Sequence, residues 1–136
     1  MICFLLNATS NTMIREYRPQ LEKYKLTYPQ YLVMMTLWND DNILIKEISK
    51  QTFFDSGTLT PILKRLEEKK YIERVASKED ERSKFIKLTL EGIELKNKTK
   101  DIFRDMECVL ELTTQEQKEI SRICNKMMVK LAENKK

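Results

Sequence analysis

The chain has 136 residues, 41% of them hydrophobic and 34% charged, with 25 basic against 21 acidic side chains and a formal charge of +4. That length supports one well-formed core, and no segment approaches the roughly 18 consecutive apolar residues that a membrane span needs, so a single soluble domain over residues 1–136 is expected. Two glycines and three prolines are too few turn residues for a many-stranded sandwich or barrel, and the absence of histidine removes Ser-His-Asp and Cys-His catalysis, HExxH zinc sites and Cys/His fingers together. A mainly helical, non-enzymatic chain without metal or cofactor is therefore expected.

The first apolar or aromatic series, Ile2, Leu5, Leu6, Met13, Tyr17, Leu21 and Tyr24, has helical spacing and predicts a long helix ending near Lys25. Residues 1–7 lack a basic flank and their apolar run stops at Asn7, unlike a secretory signal, so the cytoplasm is the expected compartment. Three cysteines, an odd number, argue against a disulfide framework and leave buried or redox-reactive thiols open.

Thr27 stands three residues before Gln30 with Pro29 between them, which signals a second helix; residues 31–38 are apolar enough to be buried on nearly every side. Residues 39–42 supply a turn. A short amphipathic helix follows over 45–51, with Ile45 and Ile48 inward, closed off by Phe53 and Phe54. Residues 55–58 offer several caps for a fourth helix, in which Leu59, Ile62, Leu63 and Leu66 repeat at helical spacing. Pro61 conflicts with that helix, which is expected to begin late, or bend, between Gly57 and Pro61. Residues 71–76 and 85–89 read as two strands of a hairpin joined by the wholly polar loop 77–84. Thr89 can cap a helix running to about Leu110, and Thr113 with Glu116 starts a last one carrying the stripe Ile120, Ile123, Cys124, Met127 and Leu131.

Charge follows this order. Residues 46–90 carry eleven basic against eight acidic side chains, whereas residues 1–45 carry four of each and residues 91–136 ten against nine. A short helix, a turn, an amphipathic helix and a charged hairpin form the layout of a winged helix-turn-helix, in which the second helix enters the major groove. With the leucines of the fourth helix turned inward, its other face shows Thr60, Pro61, Lys64 and Arg65, with Ser56 and Thr58 near its start. Hydroxyls at a helix N-terminus suit phosphate oxygens or base edges, and Lys64 and Arg65 suit phosphate or guanine. An ordinary solvated helix face has the same periodicity.

Four segments in order, residues 26–33 (LTYPQYLV), 55–66 (DSGTLTPILKRL), 80–82 (DER) and 88–92 (LTLEG), resemble the MarR family of bacterial repressors, and within it the organic-hydroperoxide-sensing, OhrR-like branch. The resemblance implies a winged helix-turn-helix over 27–89, a helical dimerisation region from 1–26 and 90–136, a homodimer, and double-stranded operator DNA as partner. It implies that Arg82 reaches from the wing into the minor groove, where negative potential is concentrated, while Asp80 steadies it. Ser83 departs from the pattern, since many members carry a second arginine there.

The same resemblance implies that Cys3 is a peroxide-sensing thiol held by Tyr17 and Tyr28. The positive end of a helix macrodipole favours the thiolate that organic hydroperoxides attack. Cys3 and Tyr17 are fourteen residues apart, about 21 Å along one straight helix, so a meeting of the two needs different subunits. Cys108 lies off the stripe of Ile102, Phe103, Met106 and Val109 and stands where two-cysteine members place a resolving cysteine; Cys124, within its stripe, is expected to pack in the core. Without the resemblance, Cys3 amid Ile2, Phe4, Leu5 and Leu6 reads as a small buried hydrophobe and the tyrosines as core or interface aromatics. The function implied is a repressor released from its operator by Cys3 oxidation. The alternatives are a MarR-like repressor answering a small aromatic ligand and, in another class, a thiol peroxidase using Cys3.

Overall fold

Six helices and a three-stranded antiparallel sheet are found among the described residues, 1–80 and 82–135, of the computed structural model. Chain order is α1 (Ile2–Glu22), α2 (Tyr28–Asn39), β1 (Ile43–Leu44), α3 (Ile45–Thr52), α4 (Ser56–Glu68), β2 (Ile72–Ala76), β3 (Lys84–Leu88), α5 (Leu90–Leu110) and α6 (Thr114–Glu133). This is the mainly helical winged helix-turn-helix expected. The chain divides into two compact units, Met1–Ile102 and Phe103–Lys136. None of the described helices is long and apolar enough to cross a membrane.

In the first unit the core gathers Leu21 of α1, Val33, Met34 and Leu37 of α2, Ile48 of α3, Leu59, Leu63 and Leu66 of α4, and Ile72 and Ile86 of the sheet, all nearly or wholly buried. Each fully buried aliphatic side chain contributes about 1.5–3 kcal/mol, so this cluster sets how the helix-turn-helix and wing are held together. The capping box at Thr27 is formed in both directions: the Thr27 hydroxyl accepts from the Gln30 N–H at 3.3 Å, and the Thr27 N–H donates to Gln30 Oε1 at 3.2 Å.

The sheet order is β1-β3-β2, with Ile43 opposite Ile86, Ile72 opposite Leu88 and Ala76 opposite Lys84. Strand β1 was not expected. Two residues carry no periodicity, and they become a strand only because β3 offers them a free edge. Asp41 fixes that junction, its Oδ1 accepting from the N–H groups of Leu88 (2.9 Å) and Asn42 (2.7 Å).

Helix α4 was expected to begin late, or bend, between Gly57 and Pro61, and the late start is not found. It starts at Ser56, ahead of the glycine and proline, because Asp55 Oδ1 accepts from the Thr58 N–H at 2.7 Å and organises the first turn. Pro61 lies in the second turn and has no N–H to offer the Gly57 carbonyl. Gly57 and Pro61 both face solvent, where water can serve that carbonyl.

Neither glycine is used for its torsional freedom. Backbone at positive φ falls instead on Lys25, Asn42, Phe53, Lys70 and Glu111, which turn the chain between elements. Gly92 is needed for space, since a Cβ there would stand 2.1 Å from the Tyr71 carbonyl oxygen.

The second unit holds the end of α5 and all of α6. Thr113 and Glu116 close a capping box as expected. Helix α6 has no buried residue: Ile120, Ile123, Val129 and Leu131 are exposed, and Cys124 is only half-buried. The stripe is therefore present, but the core packing expected for Cys124 is not found.

Candidate nucleic-acid interface and thiol site

The buried face of α4 determines what its other face can do. With Leu59, Leu63 and Leu66 at zero exposure, Ser56, Thr60 and Lys64 fall at successive i, i+4 positions on the solvent side, and Pro61 and Arg65 form the neighbouring row. Ser56, Thr58, Thr60, Pro61, Lys64 and Arg65 are all exposed. The Thr60 hydroxyl donates to the Ser56 carbonyl at 2.8 Å, which leaves its oxygen lone pairs pointing outward as acceptors. The N-terminal end of α4 thus shows hydroxyls, and Lys64 and Arg65 follow one to two turns on. The Thr58 N–H, together with its hydroxyl and the Gly57 N–H, holds the Asp55 carboxyl below its usual range.

The wing tip is organised by one carboxylate. Asp80 Oδ1 accepts from the Arg82 N–H at 3.0 Å, Asp80 Oδ2 from the Ser83 hydroxyl at 3.3 Å, and the Asp80 carbonyl from the Ser83 N–H at 3.0 Å. Ser77 closes the loop, its N–H donating to the Ser83 carbonyl at 3.0 Å. Asp80 holds Arg82 by its backbone while the Arg82 side chain is exposed. Ser83, which departs from the family pattern, occupies the second carboxylate oxygen. That role was not foreseen; the signal was a serine three residues after an aspartate in a polar loop.

Cys3 is the second residue of α1 and is exposed. Met1 caps the helix without a side-chain hydrogen bond, and the first turn carries no acidic residue. Helix α1 runs unbroken from Cys3 to Tyr17, which keeps them about 21 Å apart within one chain. Tyr17 is buried, and its ring lies 5.1 Å from that of Tyr28 and 5.9 Å from that of Tyr31, which in turn stands 6.1 Å from Trp38. Burial pushes the Tyr28 phenol up, and burial with the nearby Tyr28 does the same for Tyr31, so both remain protonated donors.

The structure therefore brings Tyr17 of α1 and Tyr28 of α2 together and leaves Cys3 at the start of α1, far from both. Cys108, on α5 in the second unit, is exposed. Tyr31 and Trp38 were not anticipated as part of the aromatic cluster. Their spacing was informative: Tyr28 and Tyr31 are three apart and Tyr31 and Trp38 seven apart, which places all three on one side of α2.

A half-buried recognition helix followed by a braced hairpin defines the winged-helix class of transcriptional regulators, and comparison with known proteins narrows it. The family described as Transcriptional regulator SarA/Rot matches residues 15–99. The organic hydroperoxide resistance transcriptional regulator of Bacillus subtilis (strain 168) is 48% identical over 101 residues, covering 74% of this chain and 69% of that protein. Among solved structures, reduced AbfR bound to DNA matches with a TM-score of 0.82 at 27% identity, covering 99% of this chain and 92% of that one. Disulfide-formed AbfR matches with a TM-score of 0.63 at 29% identity, covering 97% and 88%. The chain belongs to the SarA/Rot family of transcriptional regulators, within the MarR-like winged helices.

Proposed function

We propose that this protein is a homodimeric repressor that binds operator DNA while Cys3 is reduced and releases it when an organic hydroperoxide oxidises Cys3. The observation that carries the proposal is on α1: an exposed thiol in its first turn, far along the same helix from Tyr17, whose ring is paired with that of Tyr28 on α2. Because one helix separates them, the tyrosines that hold Cys3 come from the partner subunit. Residues 1–26 and 90–136 then form the dimerisation region, and the exposed Ile2, Phe4, Leu5 and Leu6 of α1 and the stripe of α6 supply apolar surface for it.

On the DNA side, Ser56, Thr58, Thr60, Pro61, Lys64 and Arg65 contact the major groove and its phosphates, and Arg82, set by Asp80, enters the minor groove. Support comes from the relatives: one is a hydroperoxide resistance regulator, and the chain superposes more closely on reduced, DNA-bound AbfR than on the disulfide form.

The chemistry balances without a cofactor. The Cys3 thiolate attacks the distal peroxide oxygen, the O–O bond breaks, the leaving alkoxide takes a proton to become an alcohol, and Cys3 becomes a sulfenic acid. The Cys108 thiol of the partner subunit then attacks that sulfur, forming the disulfide and releasing water. A disulfide requires Cα atoms within about 7 Å, so its formation draws helices together and misplaces the recognition helices.

The test is titration of a DNA fragment, selected by the reduced protein from a random library, with wild type and Cys3→Ser, each with and without cumene hydroperoxide. Release of the wild type alone is expected. Release of both proteins alike, or of neither, would overturn the redox reading.

A further inference from the structure

At the end of α4 opposite Ser56, about 20 Å away along a 13-residue helix, five lysines surround an open cavity of about 450 Å³. Lys23 and Lys25 come from the turn after α1, Lys69 and Lys70 from the end of α4, and Lys98 from α5. Tyr24, Tyr71 and Leu95 give the cavity apolar wall, and Glu91 and Glu94 line its α5 side. Five positive charges against two negative leave +3 around a space large enough for a small metabolite.

The lysines are not neutralised where they stand. Among the described residues none of the five forms an ion pair with a carboxylate. Lys69 is half-buried and fixed: its ammonium donates to the Lys25 carbonyl and, at 2.8 Å, to Gln30 Oε1, which occupies two of its three donors. Both acceptors are neutral. Burial and the neighbouring Arg65 and Lys25 charges hold the Lys69 ammonium below its usual range, the opposite of what a carboxylate partner would do. Helix C-termini attract lysines, which accounts for Lys25, Lys69 and Lys70. It does not account for Lys98, which stands in the interior of α5, or for Glu91 and Glu94 turned to the same space.

The Tyr24 hydroxyl donates to the Lys98 carbonyl at 2.7 Å, so the aromatic wall and the α5 lysine are held in register.

We propose that this cavity binds a small phosphorylated metabolite of about nucleotide size. Its phosphate meets Lys25, Lys69 and Lys98, its apolar or aromatic body lies along Tyr24 and Tyr71, and its hydroxyl or amino donors meet Glu91 and Glu94. Phosphate is favoured over a monocarboxylate because five lysines line the cavity against two glutamates and form no ion pair with them, and an ammonium recognises phosphate as a point charge without the planar fork that carboxylates prefer. The cavity lies apart from both the DNA-facing end of α4 and Cys3. An occupant would clamp the end of the recognition helix to α5.

The full-length reduced protein, without DNA, is tested by calorimetric titration with adenosine 5′-monophosphate, inorganic phosphate and adenosine at ionic strength fixed with sodium chloride. Adenosine 5′-monophosphate is expected to bind and to raise the melting temperature, phosphate to bind more weakly, and adenosine not to bind. Lys69→Gln and Lys98→Gln should each weaken the nucleotide at least tenfold, and Lys118→Gln on α6 should leave it unchanged. Lys98 is exposed, so its variant decides the matter if Lys69→Gln folds poorly. The proposal is overturned if neither phosphate compound binds above the sodium chloride control. It is equally overturned if Lys98→Gln binds the nucleotide as wild type does, since the phosphate is then held elsewhere, as at the DNA-facing surface. No arm depends on operator DNA or on thiol oxidation, so this result stands apart from the repressor reading.

Discussion

The indole Nε1 of Trp38 donates to the Gly92 carbonyl at 2.9 Å, fastening the end of α2 to the first turn of α5. Thr89 secures the same junction from the other side, its hydroxyl donating to the Lys70 carbonyl at 2.6 Å and accepting from the Gly92 N–H at 3.1 Å. Because the Tyr71 carbonyl lies where a Cβ on Gly92 would go, Gly92→Ala must shift backbone and cannot be absorbed by a side chain. A loss of about 1–3 kcal/mol is expected, as for overpacked sites. Urea unfolding measures it, and an unchanged midpoint would contradict the close approach.

Arg82→Ala should weaken operator binding by about 1–3 kcal/mol at fixed salt if the side chain reads the minor groove. Asp80→Ala gives a sharper result. Removing a negative charge near DNA should strengthen attraction, yet it also frees the Arg82 N–H and the Ser83 hydroxyl. Weaker binding by Asp80→Ala therefore indicates that positioning outweighs charge, whereas tighter binding indicates that Asp80 does not set the wing.

On the recognition helix, Lys64→Ala should reduce affinity across all sequences and lower the slope of log affinity against log salt by about 1, the signature of one lost phosphate contact. A changed sequence preference with an unchanged slope would place Lys64 on a base edge.

The thiols separate by electrophoresis. After cumene hydroperoxide, wild type and Cys124→Ser should run as disulfide-linked dimers under non-reducing conditions and Cys108→Ser as monomer. A dimer band that persists in Cys108→Ser refutes its assignment as the resolving thiol. Consumption of peroxide with a recycling thiol should stop near one equivalent per Cys3; sustained turnover would point to a peroxidase.

Acid stability should report Asp55. Its carboxyl is held below the usual range by the Thr58 and Gly57 N–H groups in the folded chain, while the unfolded value is about 3.9. The unfolded state then takes up the proton first, so the stabilisation is present above about pH 4 and is lost as pH falls through the lower folded value. Asp55→Asn should flatten the acid limb of stability against pH while still capping α4. A limb as steep as that of wild type would show that other carboxylates govern it.

Much of the architecture was legible because it is local chemistry. The capping boxes at Thr27 and Thr113, the leucine repeat of α4 and the polar loop of the hairpin each depend on residues a few positions apart. What was not legible depends on partners distant in the chain. Ile43 and Leu44 become a strand through Ile86 and Phe85, and Ser83 acquires a role only once Asp80 turns back on it. Of the late start or bend expected between Gly57 and Pro61, the late start is not found, because the Asp55 cap outweighs one missing donor on a solvent-facing turn. The stripe of α6 was read correctly as apolar, but periodicity says which side of a helix avoids water and not what covers it. For Cys3 and Tyr17 the separation was legible from helix rise, whereas the ring contacts of Tyr17 with Tyr28 and Tyr31 depend on how α1 packs against α2.

That uncovered stripe has a thermodynamic consequence. A 20-residue helix with no buried side chain gains little from its own chain, so much of what holds α6 in place must come from a second copy in the proposed dimer. Unfolding then becomes a bimolecular equilibrium: the melting temperature should climb as the protein is concentrated, and dilution alone should loosen the region that carries Cys124.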